Sequence, residues 1–133
     1  MSDTMASQAG TYPFPVQTRQ FAAIIDNAHT EFVVMGYDNR VVVIVTQIGK
    51  LGSILQAKQD ITQDGFLQNS FSITTLLGRR DEPLLEICAR RLMELMAQAG
   101  CRRPLLLTLG LRNNCAATLK SILELIMLRG KVW

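Results

Sequence analysis

At 133 residues the chain fits one folded domain better than two. It is 48% hydrophobic and only 19% charged, which excludes a disordered chain and leaves apolar surface to spare for a partner. The net charge of +3 is unevenly spread: residues 1–78 carry four bases and six acids, whereas residues 79–133 carry ten bases and five acids.

Residues 1–13 are read as a flexible tail and 14–133 as a single domain. Strands are predicted over residues 19–25, 30–37 and 40–48, with turn chemistry at Asp26-Asn27-Ala28-His29 and Asp38-Asn39 between them. The third run, RVVVIVTQI, is rich in β-branched residues and carries the strongest strand signal. Gly49-Lys50-Leu51-Gly52 reverses the chain into a strand over 53–57. A polar loop is expected over 58–69, followed by a strand over 70–77. Asp81 is the expected cap of a first helix, with Glu82 and Pro83 in its first turn and Gly100 as its stop. Its apolar stripe is Leu85, Cys88, Leu92, Leu95/Met96 and Ala99. A strand over 105–111 precedes a second helix, capped by Asn114 and ending at Gly130.

This order predicts an α+β fold: about six mainly antiparallel strands with two long helices on one face. The central strands do not alternate apolar with polar. Val41, Val43 and Val45 point to one face, and Val42 and Ile44 to the other. A half-solvated sheet would alternate, and two helices cover one face only. Either Thr30, Thr46, the 58–69 loop and the N-terminal tail cover the other face from within, or a sheet-to-sheet dimer does; the dimer is the expectation, with Phe32, Val34, Val42 and Ile44 as its interface.

Catalytic and metal chemistry find little support. Any triad would need His29, the one histidine, which is read as a surface turn residue. Cys88, Cys101 and Cys115 form no close pair, so neither a zinc motif nor a disulfide framework is expected, and a reducing compartment is. Gly49-Lys50-Leu51-Gly52 lacks the spacing and the following helix of a phosphate loop. No cofactor and no enzymatic activity are expected. With no apolar leader and no apolar run of ~18–20 residues, the expected location is the cytoplasm, extending to the nucleus. Nucleic-acid binding is the rival reading, carried by the basic second half and the pairs Arg79-Arg80 and Arg102-Arg103. Aromatics are only 6%, which argues against base stacking.

Two stretches carry a resemblance. Residues 41–52 (VVVIVTQIGKLG) read as a strand running into T-Q-x-G-K-x-G, with Gln47, Gly49, Lys50 and Gly52 in the motif. Leu76-Leu77-Gly78 is followed shortly by Asp81-Glu82-Pro83-Leu84, and the chain closes on Val132-Trp133. In order and approximate spacing these resemble the proteasome assembly chaperone 3 family, with Arg79-Arg80 as an added residue before Asp81. The resemblance implies a chaperone of the proteasome core-particle α-ring. Such a chain pairs with a related small chaperone or with itself, binds α-type subunits, and leaves as β-type subunits join. No membrane partner is implied. The expected subunit-binding element is the 58–69 loop, with Ile61, Asp64, Phe66 and Leu67.

Overall fold

The computed structural model describes residues 16–78 and 82–133. The expected tail and its boundary at residue 13 lie outside that set, as do Arg79, Arg80 and Asp81. The chain forms β1 (Gln17–Ile25), β2 (Ala28–Tyr37), β3 (Arg40–Thr46), β4 (Ser53–Ile61), β5 (Leu67–Leu77), α1 (Pro83–Gln98), β6 (Leu105–Gly110) and α2 (Ala116–Arg129). All eight expected elements are present, in the expected order.

The strands make one six-stranded sheet in the order β1-β2-β3-β6-β4-β5. Every pairing is antiparallel except β3 with β6, so the sheet is mixed. β6 is inserted between β3 and β4, a placement that depends on the α1 crossover returning the chain to the sheet centre.

Tight turns set the register. Asp26 and Asn27 both adopt left-handed backbone (φ 53° and 59°), the geometry of a two-residue hairpin turn, and Ile25 is opposite Ala28. His29 therefore belongs to β2 rather than to the turn. Asp38-Asn39 sets Tyr37 opposite Arg40, which places Val34 opposite Val43 and Phe32 opposite Val45.

Both helices pack on the face that carries Val41, Val43 and Val45. α1 lies over β4, β5 and β6, while α2 meets β1 and α1. The core joins Phe32, Val34, Leu55, Leu105 and Leu107 to Leu85, Leu92, Met96, Ile122 and Ile126. The predicted helix stripes are thus the buried faces, except that Leu95 is only partly buried and Ala99, the C-cap of α1, is exposed. The N-caps differ from expectation by one residue. Glu82 caps α1 without a side-chain hydrogen bond, with Pro83 opening the helix, and Cys115 rather than Asn114 caps α2.

A helix arginine reaches a backbone carbonyl on each edge strand. Arg129 donates to Ala22 O of β1 (3.4 Å) and lies over the Phe21 ring, 4.7 Å from its centre. Arg90 donates to Phe71 O of β5 (3.1 Å). Each arginine occupies one edge carbonyl and sets a charge beside the edge strand, which discourages pairing with further strands there.

Candidate protein-interaction surface

The candidate surface is the sheet face turned away from the helices. The register places Met35, Val42 and Leu106 side by side across β2, β3 and β6, and Gln56 of β4 completes that row. The next row runs Val33, Ile44, Thr108, Ile54 and Leu77. These two rows form one apolar band from β2 to β5. Val33, Met35, Val42, Ile44, Ile54 and Leu106 are only partly buried, and Leu77 is 59% exposed. Among the described residues no helix covers the band. Polar groups frame it: Glu31, His29 and Thr46 at one end, Arg40 and Lys58 at the other.

Half of the expected interface lies elsewhere. Val42 and Ile44 are on the open face, but Phe32 and Val34 are fully buried beneath the helices. Four consecutive apolar residues, Phe32 to Met35, hide the phase of a strand. A signal for the phase was nevertheless present. Across the two-residue turn at 38–39, pairing makes Val34 share a face with Val43 and Phe32 with Val45. Val33 and Met35, which the periodicity missed, belong to the open face instead.

The expected 58–69 loop is mostly strand. β4 continues to Ile61 and β5 begins at Leu67, leaving a tight turn in which Thr62 N donates to Phe66 O (2.8 Å) and Gly65 N to Thr62 O (2.9 Å). The run looked like a loop because an edge hairpin carries polar residues on both faces. Asp60 accepts hydrogen bonds from the Ser72 and Ser70 hydroxyls across the pair. Those two donors, Ser72 the stronger, hold its carboxyl below the usual carboxylate value. Ile61 and Phe66 project from the tip, 63% and 70% exposed, with Asp64 in the turn. The side chain of Leu67 lies outside the described set.

The T-Q-x-G-K-x-G stretch is a structural clasp. Buried Gln47 donates through Nε2 to Thr30 Oγ1 (3.1 Å) and Ile25 O (3.4 Å), and its Oε1 accepts from Arg112 N (3.1 Å). One amide thereby ties the β1–β2 turn to the end of β6. Thr46 Oγ1 donates to Lys50 O (2.9 Å), folding the Gly49 turn back over β3. Gly52 passes so close to β6 that a side chain there would fall on the Leu109 carbonyl. Gly78, at φ 105°, similarly lies against Ser53. At the C-terminus Val132 packs on Gly36, and the Trp133 indole N–H is buried without a hydrogen-bond partner. These motif residues shape the sheet end and the crossover, and none reaches into the apolar band.

The described bases of the second half largely contact the chain itself. Arg102 donates to Gln59 Oε1 (3.1 Å), Arg103 to Tyr37 O (2.6 Å), and Arg91 pairs with Glu94 (3.2 Å). With Arg90 and Arg129 at the sheet edges, these contacts explain much of the basic excess that motivated the nucleic-acid reading. Among the described residues no group of three or more His, Cys, Asp and Glu side chains gathers to hold a metal, and no described helix is long and apolar enough to cross a membrane. Burial alone pushes the Cys88 thiol up to about 12, so it behaves as a small apolar side chain.

The model of the proteasome assembly chaperone 3 family matches residues 43–128, from the centre of β3 to the last turn of α2. The chain belongs to the proteasome assembly chaperone 3 family. It is 32% identical over 113 residues to proteasome assembly chaperone 3 of Nematostella vectensis, covering 79% of this chain and 82% of that protein. It is 26% identical to the Mus musculus protein of the same name over 118 residues, covering 89% and 95%. The fold also matches a chain in the crystal structure of a chaperone complex for yeast 20S proteasome assembly (TM-score 0.66, 15% identity, covering 84% of this chain and 96% of that one). For this family member, the matched region contains Gln47, α1, β4, β5, β6 and all but the last residue of α2, whereas the clasp partners Ile25 and Thr30 precede it.

Proposed function

We propose that this chain, a proteasome assembly chaperone by family, works as one half of a sheet-to-sheet pair that holds α-type subunits of the proteasome core particle. The observation that carries the pairing is the apolar band of Val33, Met35, Val42, Ile44, Ile54, Leu77 and Leu106, over which no described helix packs. Fully burying an aliphatic side chain of this size is worth roughly 1.5–3 kcal/mol, so a partner sheet laid on the band recovers a large free energy. The arginine contacts at β1 and β5 favour association through the face over the edges. Its partner on this reading is a related small chaperone or a second copy.

Client binding falls to the β4–β5 tip, where Ile61 and Phe66 stand in solvent beside Asp64. A hydrophobic pair displayed on a hydrogen-bonded hairpin gives a partner an anchor at low ordering cost. The whole activity is binding, with no cofactor and no covalent step, and it takes place in the cytoplasm or nucleus.

Deleting the hairpin would remove strand residues along with its tip, so point changes are the cleaner test. The chain is tagged and purified from its own cells as wild type, Ile44→Asp and Ile61→Ser/Phe66→Ser. The expected result is co-purification of a second small chaperone and α-type subunits with the wild type. Ile44→Asp loses the chaperone. Ile61→Ser/Phe66→Ser keeps it and loses α-subunits. Retention of the chaperone by folded Ile44→Asp would refute the pairing face, and unchanged α-subunit capture by the double variant would remove the tip from the account.

A further inference from the structure

The helical side of the molecule has its own apolar feature. α1 delivers the chain to the start of β6 and α2 departs from its end, so the two helices run in the same direction. Between them lies a groove of about 550 Å³, lined chiefly by Ile87 and Leu95 of α1 and Leu119, Leu123 and Met127 of α2. Ile87 is 59% exposed, and among the described residues nothing fills the groove. Its charged lining residues ask for no ionic partner. Arg91 is paired with Glu94 of its own helix (3.2 Å), and Lys120 and Glu124 are exposed and opposite in sign. The fitting occupant is apolar and uncharged.

The chain ahead of β1 has that composition and starts from the right corner. Gln17 lies opposite Gly36, Gly36 opposite Val41 and Val41 opposite Leu105, so the first residue of β1 and the strand entered from α1 share one end of the sheet. Val132, three residues beyond α2, packs on Gly36, so α2 also ends there. The Leu95 and Met127 end of the groove is thus the end at which the chain enters β1. Residues 4–18 carry no charged side chain, and Tyr12-Pro13-Phe14-Pro15 sets two rings and two prolines among them. Proline restricts the backbone, so such a stretch loses little freedom on docking. Tyr12, five residues before Gln17, has a reach of about 17 Å in extended chain. Packed helices are spaced about 8–10 Å apart, so this reach passes the end of α2 and enters the groove. A second observation marks the same corner. The Trp133 indole N–H, directly after Val132, is buried without a hydrogen-bond partner. A backbone carbonyl of a segment crossing from Gln17 to the groove is an acceptor for it. On the other side of β1 the segment would meet Thr18, Gln20 and Ala22, all exposed and mostly polar.

We propose that the α1–α2 groove is the docking site of the chain's own N-terminal segment, which folds back past the end of α2 to seat Tyr12 in the groove and Phe14 at its mouth. The open sheet face, on the opposite side of the sheet, is left free for pairing.

Magnetisation transfer from aromatic rings to methyls, measured in the full chain, tests this contact. The chain is deuterated except for its Tyr and Phe rings and its Ile, Leu, Val and Met methyls. Transfer to the methyls of Leu95, Leu123 and Met127 is expected in the wild type and lost in Tyr12→Ser/Phe14→Ser, with the signals of Val41 and Val43 unchanged as the mark of an intact fold. The transfer should persist when the labelled chain is diluted into an excess of fully deuterated chain. Identical transfer to the three groove methyls in wild type and double variant would overturn the proposal. Loss on dilution would assign the groove to the segment of a second copy and overturn it as well. Transfer that depends on Tyr12 and Phe14 but reaches Val42 and Ile44 instead would lay the segment on the open sheet face, with the same consequence.

Discussion

β3 presents two sets of side chains built from the same residue types. Val41, Val43 and Val45 are fully buried beneath the helices, while Val42 and Ile44, interleaved with them, stand half-buried on the open face. The inner set is satisfied within the chain, and its removal is a loss to the fold. The outer set contributes less to the fold of one molecule, and its remaining exposed area is available to a partner. Hydrophobicity alone does not separate these tasks; the phase of the strand does.

The sharpest way to test that division is a matched pair of substitutions. Phe32→Ala, on the inner face and stacked on Phe21 with ring centres 4.6 Å apart, is expected to cost about 3–5 kcal/mol, read as a lowered midpoint in urea. Ile44→Asp should cost the single chain about 1–2 kcal/mol, less than Phe32→Ala because Ile44 is only partly buried, while abolishing its pairing in size-exclusion chromatography. If Ile44→Asp unfolds the chain as severely as Phe32→Ala, the two faces do not divide fold from association.

A smaller effect is expected at the clasp, which serves the fold and not the band. Gln47→Ala leaves the Arg112 N–H and Thr30 hydroxyl without their amide partner. It should cost about 1–3 kcal/mol in urea unfolding with pairing preserved once the chain is folded. Loss of pairing in the folded variant would show that the clasp reaches the interaction surface.

The smallest expected effect is at Asp60. Its carboxyl titrates lower in the folded chain than in the unfolded one because Ser72 and Ser70 donate to the ionised form. The contribution to stability is therefore present above the unfolded value of 3.8 and disappears as pH falls through the lower folded value. Urea midpoints of wild type and Asp60→Asn should differ slightly near neutral pH and converge in acid. A difference that grows on acidification would contradict the hydrogen-bond assignment.

Much of the fold was legible because it rests on local chemistry. Turn residues at 26–27 and 38–39, β-branched strands and helical spacing in α1 and α2 gave the eight elements and the α+β class. Interface residues were half legible. Val42 and Ile44 follow from a strand that is apolar on both sides, whereas Phe32 and Val34 were misplaced because an unbroken apolar run carries no phase of its own. The position of β6 between β3 and β4 was not legible at all, since it depends on contacts far apart in sequence. The outer part of the β4–β5 hairpin, residues 58–61 and 67–69, escaped for a different reason. Its strands are held by Asp60, Ser70 and Ser72 on an exposed edge, so the apolar alternation that marks a strand is missing there.

Methyl cross-saturation tests the pairing face most directly. A deuterated, methyl-labelled chain is mixed with its protonated partner, either the related chaperone or further copies of itself, and the partner is saturated. Transfer should reach the methyls of Val42, Ile44, Ile54 and Leu106 and spare those of Val41, Val43 and Val45. Silence at the first four methyls in a sample shown to be paired would contradict the account.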